Sequence, residues 1–327
     1  MDRAHAHSHG LLSWRTLNTL LCGVAVLVLA AATLAPHWGE RDWRLDGLSH
    51  FRMEYIVLLG LLALFTVFTR RVVLFVLTLV FLCWNGAEIF HAPDPAPPPV
   101  GEKLYKAASF NIHTRNREFD KILAWVKEEK PDFFVIVEAT DAMEPLYDAL
   151  DEIYPQKKRR SMGRGGFGAV IFSHYPISDD KFAWAGTGTV QVRIELPEGP
   201  IILVAMHPQA PVSKEAWGWR NGTFEDIARF CAAQHDPLVL MGDMNCSPWS
   251  PFYKEFEQES GLHPPNVRWL PRRTWPAGLP FLWTPIDQFF VSNGIHPVAE
   301  WTGPELGSDH YPIIMTFRVA PEASAGL

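Results

Sequence analysis

The chain contains 327 residues, of which 48% are hydrophobic and 20% are charged, and its formal net charge is −7. This length allows about two domains. Residues 1–99 hold seven basic and seven acidic side chains, so the net negative charge lies in residues 100–327. That distribution argues against nonspecific binding of nucleic acids, which needs a basic surface, but it is compatible with a small phosphate substrate held by a metal ion.

Three apolar stretches in the first 91 residues predict transmembrane helices. Residues 17–35 contain no charged side chain and are long enough to cross a bilayer, and residues 55–69 and 72–90 are two further apolar runs. A cleaved secretory signal would explain the first run alone, but not three consecutive runs. We therefore predict that residues 1–91 form a multi-pass anchor in the cytoplasmic (inner) membrane.

The arginines that flank these helices indicate the orientation of the anchor. Arg70 and Arg71 occupy the shortest loop, which favours a cytoplasmic position, and the N-terminal arginines then fall on the same side. Residues 36–54 contain three further arginines, which favour the opposite orientation, although acidic residues lie between them. Trp38 and Trp43 in this loop are typical of interfacial anchors. On balance, we predict that the C-terminal part is extracytoplasmic.

Residues 92–102 form a predicted linker. Five prolines between residues 92 and 99 favour an extended, semi-rigid spacer. From Lys103 the pattern changes to apolar runs that alternate with amphipathic stretches, so residues 103–327 are predicted to form one domain. About 220 residues are enough for a substantial α/β core.

The predicted elements of this domain alternate between strands and helices. The predicted strands span residues 104–112, 132–138, 166–173, 188–196, 200–206, 238–241, 286–292 and 313–317, and the predicted helices span 119–129, 142–152 and 213–233. The last helix is expected to break near Gly218 and Gly222. A loop region is expected after Asn245. The basic run of residues 157–160, together with Arg164, is interpreted as a solvated turn or as a surface for anionic headgroups.

Polar side chains that could bind a metal ion or a phosphate stand where these strands end. They are Asn111, Glu138, His207, Asp243, Asn245 and Asp287, followed by Asp309 and His310 before the last strand. Any one of them alone is more typical of an ordinary loop edge, because loops are polar. Their recurrence at strand after strand favours a common site. Carboxylate and carboxamide oxygens favour a hard cation such as Mg²⁺ or Mn²⁺.

Short motifs surround these residues in a fixed order. They are Ser109-Phe110-Asn111, Val137-Glu138, His207, Gly242-Asp243-Met244-Asn245, Pro285-Ile286-Asp287 and Ser308-Asp309-His310. Over residues 103–318, they resemble the endonuclease/exonuclease/phosphatase superfamily, the deoxyribonuclease-I-like fold. The resemblance implies an α/β fold, a four-layer αββα sandwich with two sheets face to face, preceded here by about three transmembrane helices. It also implies metal-dependent hydrolysis of a phosphate ester.

The resemblance implies a metal-binding group and therefore a Mg²⁺ or Mn²⁺ cofactor. Glu138 matches the principal metal-binding carboxylate of the family, and Asn111 lies beside it. Asp309 matches the acidic residue near the same cation. We accordingly expect Asn111, Glu138 and Asp309 to form the metal site.

The resemblance also implies catalytic roles. Asp243 matches the residue that orients or deprotonates the attacking water, and Asn245 matches the residue that holds a phosphate oxygen. His310 resembles the phosphate-contacting histidine, which the carboxylate of Asp287 would hold and keep charged. His207 resembles the second histidine, a candidate general acid for the leaving oxygen in the deoxyribonuclease-like branch.

Some positions depart from the family pattern and bear on the substrate. Val137 stands where nuclease branches commonly have Gln. The three-span anchor, His207-Pro208 with Pro211, Arg220-Asn221 and Thr274-Trp275-Pro276 resemble a bacterial membrane-anchored subgroup similar to the teicoplanin-resistance membrane proteins. Arg220 is a candidate for contact with a substrate phosphate, or else an arginine on a helix surface.

Three functions remain open. The first is a membrane-anchored, Mg²⁺-dependent phosphoesterase acting on a phosphate ester, a lipid-linked one included, at the extracytoplasmic membrane surface, where an anchor raises the local concentration of lipid substrates. The second is a metal-dependent endonuclease or exonuclease of the same fold, which the acidic domain disfavours. The third is a non-catalytic membrane receptor or scaffold that keeps the fold.

Overall fold

The computed structural model places three long apolar helices before a domain built on two β-sheets. It describes residues 13–93, 103–160, 166–179 and 188–320. The predictions for most of the linker, for Arg164 and for the side chains of Arg159 and Arg160 lie outside the described residues. The division of the chain into an anchor, a linker and a domain at residues 91 and 103 stays a prediction.

The N-terminal part contains the three predicted spans. Its helices are α1 (Trp14–Leu34), the short α2 (Trp43–Gly47), α3 (Arg52–Phe68) and α4 (Val72–Ile89). The helical spans Trp14–Arg41, Trp43–Phe68 and Val72–Ile89, which contain α1, α3 and α4, are each long and apolar enough to cross a membrane. Many of their leucine, valine and phenylalanine side chains are exposed. These exposed apolar side chains fit contact with lipid, so the expectation of three membrane-spanning helices is confirmed at the level of length and composition.

A buried polar cluster joins the three long helices. The Nη1 atom of Arg52 donates to Asn85 Oδ1 at 3.1 Å, and Asn85 Nδ2 donates to Thr33 Oγ1 at 2.8 Å. All three side chains are buried. Because polar groups within an apolar bundle need partners, these bonds fix how α1, α3 and α4 pack together.

The two ends of this bundle differ in their surroundings. At one end, Arg71 Nη2 donates to the carbonyl oxygen of Arg15 at 3.0 Å, so the basic turn lies beside the start of α1. At the other end, Glu54 accepts a hydrogen bond from Trp283 N at 2.6 Å, and Glu88 lies 3.3 Å from Lys254 Nζ. The α/β domain therefore sits at the end of the bundle opposite the Arg70-Arg71 turn.

The α/β domain contains two mixed sheets. The first has the strand order β10-β11-β1-β2-β4-β3 and the second β5-β6-β7-β8-β9. The strands are β1 (Tyr105–Asn111), β2 (Phe133–Val137), β3 (Gln156–Arg160), β4 (Ala169–Ser173), β5 (Ile177–Asp179), β6 (Val190–Leu196), β7 (Gly199–Ala205), β8 (Leu238–Asp243), β9 (Asp287–Val291), β10 (Ile295–Thr302) and β11 (Ile313–Val319). Each sheet contains one parallel pair, β1 with β2 and β7 with β8.

Three apolar cores hold four layers together. The central core lies between the sheets and includes Val135 and Met241. A second core packs the outer face of the first sheet against α5 (Phe119–Glu129) and α6 (Glu144–Asp151). A third packs the second sheet against α7 (Lys214–Ala232) and α8 (Pro251–Ser260). Strands with apolar side chains on both faces are expected when both faces are covered, and the predicted αββα sandwich is confirmed.

Several elements differ from the sequence-based prediction. Helix α7 is continuous, because Gly218 and Gly222 sit in a helix whose other face buries Phe224 and Ile227. The expected loop region after Asn245 contains α8, which begins with a Ser250 cap that accepts from Phe252 N at 3.3 Å. The basic run at 157–160 is part of the edge strand β3 rather than a turn.

The loop between the first two spans is folded. We call residues 35–51 the interspan segment; it contains two 3₁₀ turns (Ala35–Arg41 and Leu48–Phe51) and α2 between them. Its helix α2 is capped by Asp42, whose carboxylate accepts from Arg44 N at 2.9 Å. The segment packs on the α/β domain, because Gly39 approaches the Pro251 ring so closely that an added Cβ would lie 3.1 Å from it.

Candidate active site

The sheets bring the predicted site residues together at one edge of the sandwich. Asn111 ends β1, Glu138 follows β2, His207 follows β7 and Asp243 ends β8. The carboxyl ends of neighbouring parallel strands lie side by side in each sheet. The two sheets contact each other at this edge, where Asn111 Nδ2 donates to Asp243 Oδ2 at 3.0 Å. The site is therefore built across the interface between the sheets.

Gly242 positions the Asp243 carboxylate. Its φ is +148°, and a Cβ added there would lie 2.0 Å from the carbonyl oxygen of Met206, which directly follows the neighbouring strand β7. Only glycine tolerates both conditions. The backbone then turns at Asn245, whose φ is +49° and whose N–H donates to Asp243 Oδ1 at 2.8 Å. Asp243 and Asn245 both face one cavity, as their spacing predicts.

Glu138 is held by two donors. Its Oε1 accepts from Asn111 Nδ2 at 3.1 Å and its Oε2 accepts from Thr114 N at 3.1 Å. The side-chain oxygen of Asn111 accepts from His113 N at 3.0 Å. In this orientation Asn111 turns its NH₂ group towards the carboxylates of Glu138 and Asp243, which suits a positioning role better than that of an oxygen ligand.

His310 and Asp287 form a buried pair. Asp287 Oδ2 lies 2.9 Å from His310 Nδ1, and the other ring nitrogen, Nε2, lies 3.6 Å from Asp243 Oδ2. Burial alone would lower the pKa of His310, but the charges of Asp287 and Asp243 outweigh it and raise the pKa to about 10. His310 is therefore an imidazolium at neutral pH, with its Nε2–H directed into the site.

Asp243 and His207 share the floor of the site. Burial raises the pKa of Asp243, although the charge of His310 opposes this shift. His207 Nε2 lies 3.7 Å from Asp243 Oδ2 and 3.9 Å from Glu138 Oε1. His207 Nδ1 is buried and has no hydrogen-bond partner among the residues that the structure describes. A buried acid beside a histidine can exchange protons with a bound reactant.

These groups face a cavity of about 940 Å³. Glu138, His207, Asp243, Asn245, Asp309 and His310 line it on the side of the α/β domain. The interspan segment supplies another wall, with Trp43, Leu48 and Phe51. The cavity thus lies between the α/β domain and the membrane-spanning part of the chain.

The donor set of the cavity fits a divalent cation. The carboxylates of Glu138, Asp243 and Asp309 line it, and a fourth carboxylate, that of Asp287, is neutralised by His310. This excess of negative charge, carried by oxygen atoms, suits Mg²⁺ or Mn²⁺. Asp243, Asp287 and His310 also bring ligand atoms within 4.8 Å of one another. Asp287 and His310 bond each other, and the assignment of the ion to Glu138 and Asp309 stays a prediction.

Arg220 lies behind the site and is not exposed. Its Nη2 is 2.7 Å from Asp46 Oδ2, with both side chains fully buried, and its Nη1 donates to the carbonyl oxygen of Asn245 at 3.4 Å. Its guanidinium lies over the rings of Phe224 and Phe252. This geometry does not support the predicted phosphate contact, because the guanidinium is already surrounded by protein groups; it fits a positioning role.

Three further residues, which the sequence analysis quoted within motifs but gave no role of their own, support the site. Thr274 Oγ1 accepts from Asp287 N at 3.1 Å, and Trp275 Nε1 donates to Asp309 Oδ2 at 3.2 Å. Ser308 Oγ donates to the carbonyl oxygen of Asn111 at 2.7 Å. These residues stand within the quoted motifs, so the motifs located them without revealing their contacts. Nothing in the sequence indicated the wall formed by the interspan segment.

Comparison with solved structures supports the fold. An endonuclease/exonuclease/phosphatase from Beutenbergia cavernae is 20% identical over 67% of this chain and 72% of its own, with a TM-score of 0.52. TDP2 of D. rerio, complexed with a single-strand DNA product, is 12% identical over 67% of this chain and 100% of its own, with a TM-score of 0.56. Staphylococcus aureus beta toxin with bound magnesium ions is 17% identical over 65% of this chain and 99% of its own, with a TM-score of 0.51.

The sequence itself carries the same family signal. A search of curated proteins finds no match. Residues 108–310, which include every site residue from Asn111 to His310, match the model described as the Endonuclease/Exonuclease/phosphatase family. The match covers more than half of the chain, and the chain therefore belongs to the endonuclease/exonuclease/phosphatase family.

Proposed function

We propose that this protein is a membrane-anchored, Mg²⁺- or Mn²⁺-dependent phosphoesterase that hydrolyses a lipid-linked phosphate ester at the extracytoplasmic membrane surface. The observation that carries this proposal is the cavity itself. It joins the carboxylates and histidines of the family site to a wall contributed by the part of the chain that spans the membrane. A site in that position meets its substrate at the bilayer surface.

Glu138 and Asp309 would hold the cation, with Asn111 positioning Glu138. Asp309 is exposed to the cavity and is oriented by Trp275, and Glu138 is fixed by Asn111 and Thr114. When bound, a divalent cation neutralises the phosphate and stabilises the negative charge that develops during hydrolysis.

The remaining site residues divide the proton transfers between them. Asp243 accepts a proton from the attacking water while the water oxygen bonds to phosphorus, and the raised pKa of Asp243 suits this role. His207 donates a proton to the ester oxygen as the P–O bond breaks. His310, cationic through Asp287, and the amide of Asn245 bind the phosphate oxygens. The net reaction consumes one water and yields an alcohol and a phosphate product.

The arrangement of basic residues supports an extracytoplasmic domain in a cytoplasmic membrane. Arg15, Arg70 and Arg71 lie at the end of the bundle away from the α/β domain. In the interspan segment, Arg44 lies 3.9 Å from Asp42. Arg52, which directly follows the segment, is buried between helices. The far end thus carries three arginines, against the exposed Arg41 and Arg44 of the interspan segment, and the positive-inside rule assigns the more basic end to the cytoplasm.

A nuclease is the second candidate, because one protein of similar fold is complexed with a DNA product. The negative charge of residues 100–327 opposes it. A non-catalytic receptor or scaffold is a third candidate, and it would need neither the cation nor the proton transfers.

The deciding experiment uses the purified full-length protein in detergent with Mg²⁺. Phosphatidic acid, phosphatidylglycerol, a polyprenyl phosphate and supercoiled DNA are offered in parallel, and Glu138→Gln serves as the inactive control. Turnover of a lipid phosphate that is lost in Glu138→Gln supports the proposal. Nicking of DNA without lipid turnover assigns the nuclease function instead. No turnover, together with no Mg²⁺ or Mn²⁺ binding by calorimetry, assigns the scaffold.

A further inference from the structure

The interspan segment does more than connect two helices, because it forms one wall of the active-site cavity. We infer that this wall binds the hydrocarbon chain of a lipid phosphate ester from the membrane that holds the helices, and thereby sets the substrate preference. This inference rests on the proposed function. The residues of the segment that line the cavity are Trp43, Arg44, Gly47, Leu48, His50 and Phe51.

The wall is fixed to the catalytic domain by a buried polar cluster centred on Asp46. Arg220 lies 2.7 Å from Asp46 Oδ2, and Trp217 Nε1 donates to the same oxygen at 3.1 Å. Ser250 Oγ donates to Asp46 Oδ1 at 2.6 Å. Asp46 is 1% exposed and Arg220 is not exposed at all, so separating them would leave two buried charges unpaired. The segment therefore keeps one position relative to the catalytic residues.

The wall offers an apolar surface that the catalytic domain continues. Phe51 is 37% exposed, and Val212, which lines the same cavity on the side of the α/β domain, is 74% exposed. A cavity of about 940 Å³ is far larger than a phosphate group requires. Apolar side chains left open to solvent in such a cavity gain free energy when a hydrocarbon chain covers them.

The cavity wall is joined through Phe51 to a membrane-spanning helix. Phe51 directly precedes α3, whose exposed side chains include Val57, Leu58 and Leu61. A lipid that lies against α3 can therefore place its chain along Phe51 and its headgroup near Asp243.

Two synthetic esters with the same scissile bond test the inference in full-length protein. Methyl p-nitrophenyl phosphate and hexadecyl p-nitrophenyl phosphate differ only in the alkyl chain. The ratio of kcat/KM for the hexadecyl ester to kcat/KM for the methyl ester therefore measures recognition of the chain. Phe51→Ala should lower this ratio about tenfold, as expected for a lost aromatic contact. Val212→Ser, on the opposite wall, should lower it as well.

The matched control is Phe68→Ala, at the other end of α3. Phe68 is 83% exposed and does not line the cavity, so its substitution should leave the ratio unchanged. A ratio that is the same in wild type, Phe51→Ala and Val212→Ser overturns the inference while the proposed function stands. Loss of DNA nicking in Phe51→Ala, with no effect on the ratio, also overturns it by assigning the wall to nucleic acid.

Failure of the proposed function is recognised separately. If neither ester nor any lipid phosphate is hydrolysed with Mg²⁺ or Mn²⁺, the proposed function is wrong. Binding of hexadecyl phosphate, measured by calorimetry, then decides the inference. Weaker binding by Phe51→Ala than by wild type and Phe68→Ala supports a wall that binds hydrocarbon chains, and equal binding by all three proteins contradicts it.

Discussion

The backbone conformation of Gly242 determines where the Asp243 carboxylate lies. We expect Gly242→Ala to destabilise the protein by about 1–3 kcal/mol from backbone strain, because alanine is strained at this φ. The collision of its Cβ with the Met206 carbonyl adds to this cost. Thermal unfolding monitored by circular dichroism measures the change. Gly218→Ala is the matched control: no atom lies within 4 Å of its Cβ position in α7, so it should stabilise the helix by up to about 1 kcal/mol. Equal effects of both substitutions would contradict this account.

The charge of His310 depends on Asp287. In metal-free protein we expect the His310 imidazole to titrate near pH 10, and Asp287→Asn to move the titration to lower pH because the largest favourable charge is removed. The folded-state pKa lies above the ordinary value of 6.5. The pair therefore stabilises the fold fully below pH 6.5, and this stabilisation is lost as the pH rises through about 10.

Imidazole ¹⁵N signals measured by NMR in EDTA-treated protein test this prediction. Asn111→Ser, which removes an amide near the same ring without removing a charge, is the control and should shift the titration much less. A His310 that titrates near its ordinary value in the wild type would show that the Asp287 pairing does not control its charge.

At the scale of residues, the sequence located the site but not all of its contacts. Strand ends predicted Glu138 and Asp243, because parallel strands end at one edge of a sheet. His310 precedes the antiparallel strand β11, and only the ordered motifs predicted its place in the site. Arg220 was interpreted from a motif that cannot distinguish a phosphate contact from a buried ion pair. Its partner, Asp46, lies 174 positions away in a segment that has the composition of an exposed loop.

At the scale of elements, the Asp46–Arg220 pair joins the interspan segment to α7. Asp46→Asn should destabilise the full-length protein by about 3–5 kcal/mol, because it leaves the buried Arg220 charge unpaired. It should also lower activity, since Arg220 contacts the carbonyl of Asn245. Thermal unfolding and kcat/KM are measured together. The double variant Asp46→Ala/Arg220→Met should lose less stability than Asp46→Asn, because it leaves no buried charge unpaired.

Asp42→Asn provides the comparison within the same segment. Asp42 lies 3.9 Å from Arg44, and the side chains are 42% and 75% exposed, so the ion pair itself contributes little. A small effect on stability is expected through the cap of α2. If Asp42→Asn and Asp46→Asn lower the unfolding midpoint equally, the segment is not fixed through Asp46.

The elements that the sequence predicted best are those whose burial pattern is uniform. The three spans and α5 follow from composition and periodicity alone, and α5 has the bounds that were predicted. The break expected in α7 does not occur, because packing of Phe224 and Ile227 outweighs the low helix propensity of two glycines. Helix α8 and the interspan segment are short and polar, so only their contacts with α7 and the cavity define them.

At the scale of the whole molecule, the proposed function requires the α/β domain to be extracytoplasmic. Alkaline phosphatase fused after Leu327 should be active in a bacterial host, because it folds only outside the cytoplasm, and a fusion in the Arg70-Arg71 turn should be inactive. Replacing Arg70 and Arg71 with Glu should reduce this difference, since the positive charge that orients the bundle is lost. An inactive fusion after Leu327 would place the catalytic domain in the cytoplasm.

In the proposed function, a cation held by Glu138 supports hydrolysis of a phosphate ester in this cavity. The most direct measurement is the rate of hydrolysis of a lipid phosphate by full-length protein in detergent, with Mg²⁺ or with EDTA, for wild type and Glu138→Gln. The account predicts hydrolysis by the wild type in Mg²⁺, and a loss of about 100-fold or more in EDTA and in Glu138→Gln. Hydrolysis that is unchanged in both conditions, or no hydrolysis by a wild type that binds the ion, would contradict it.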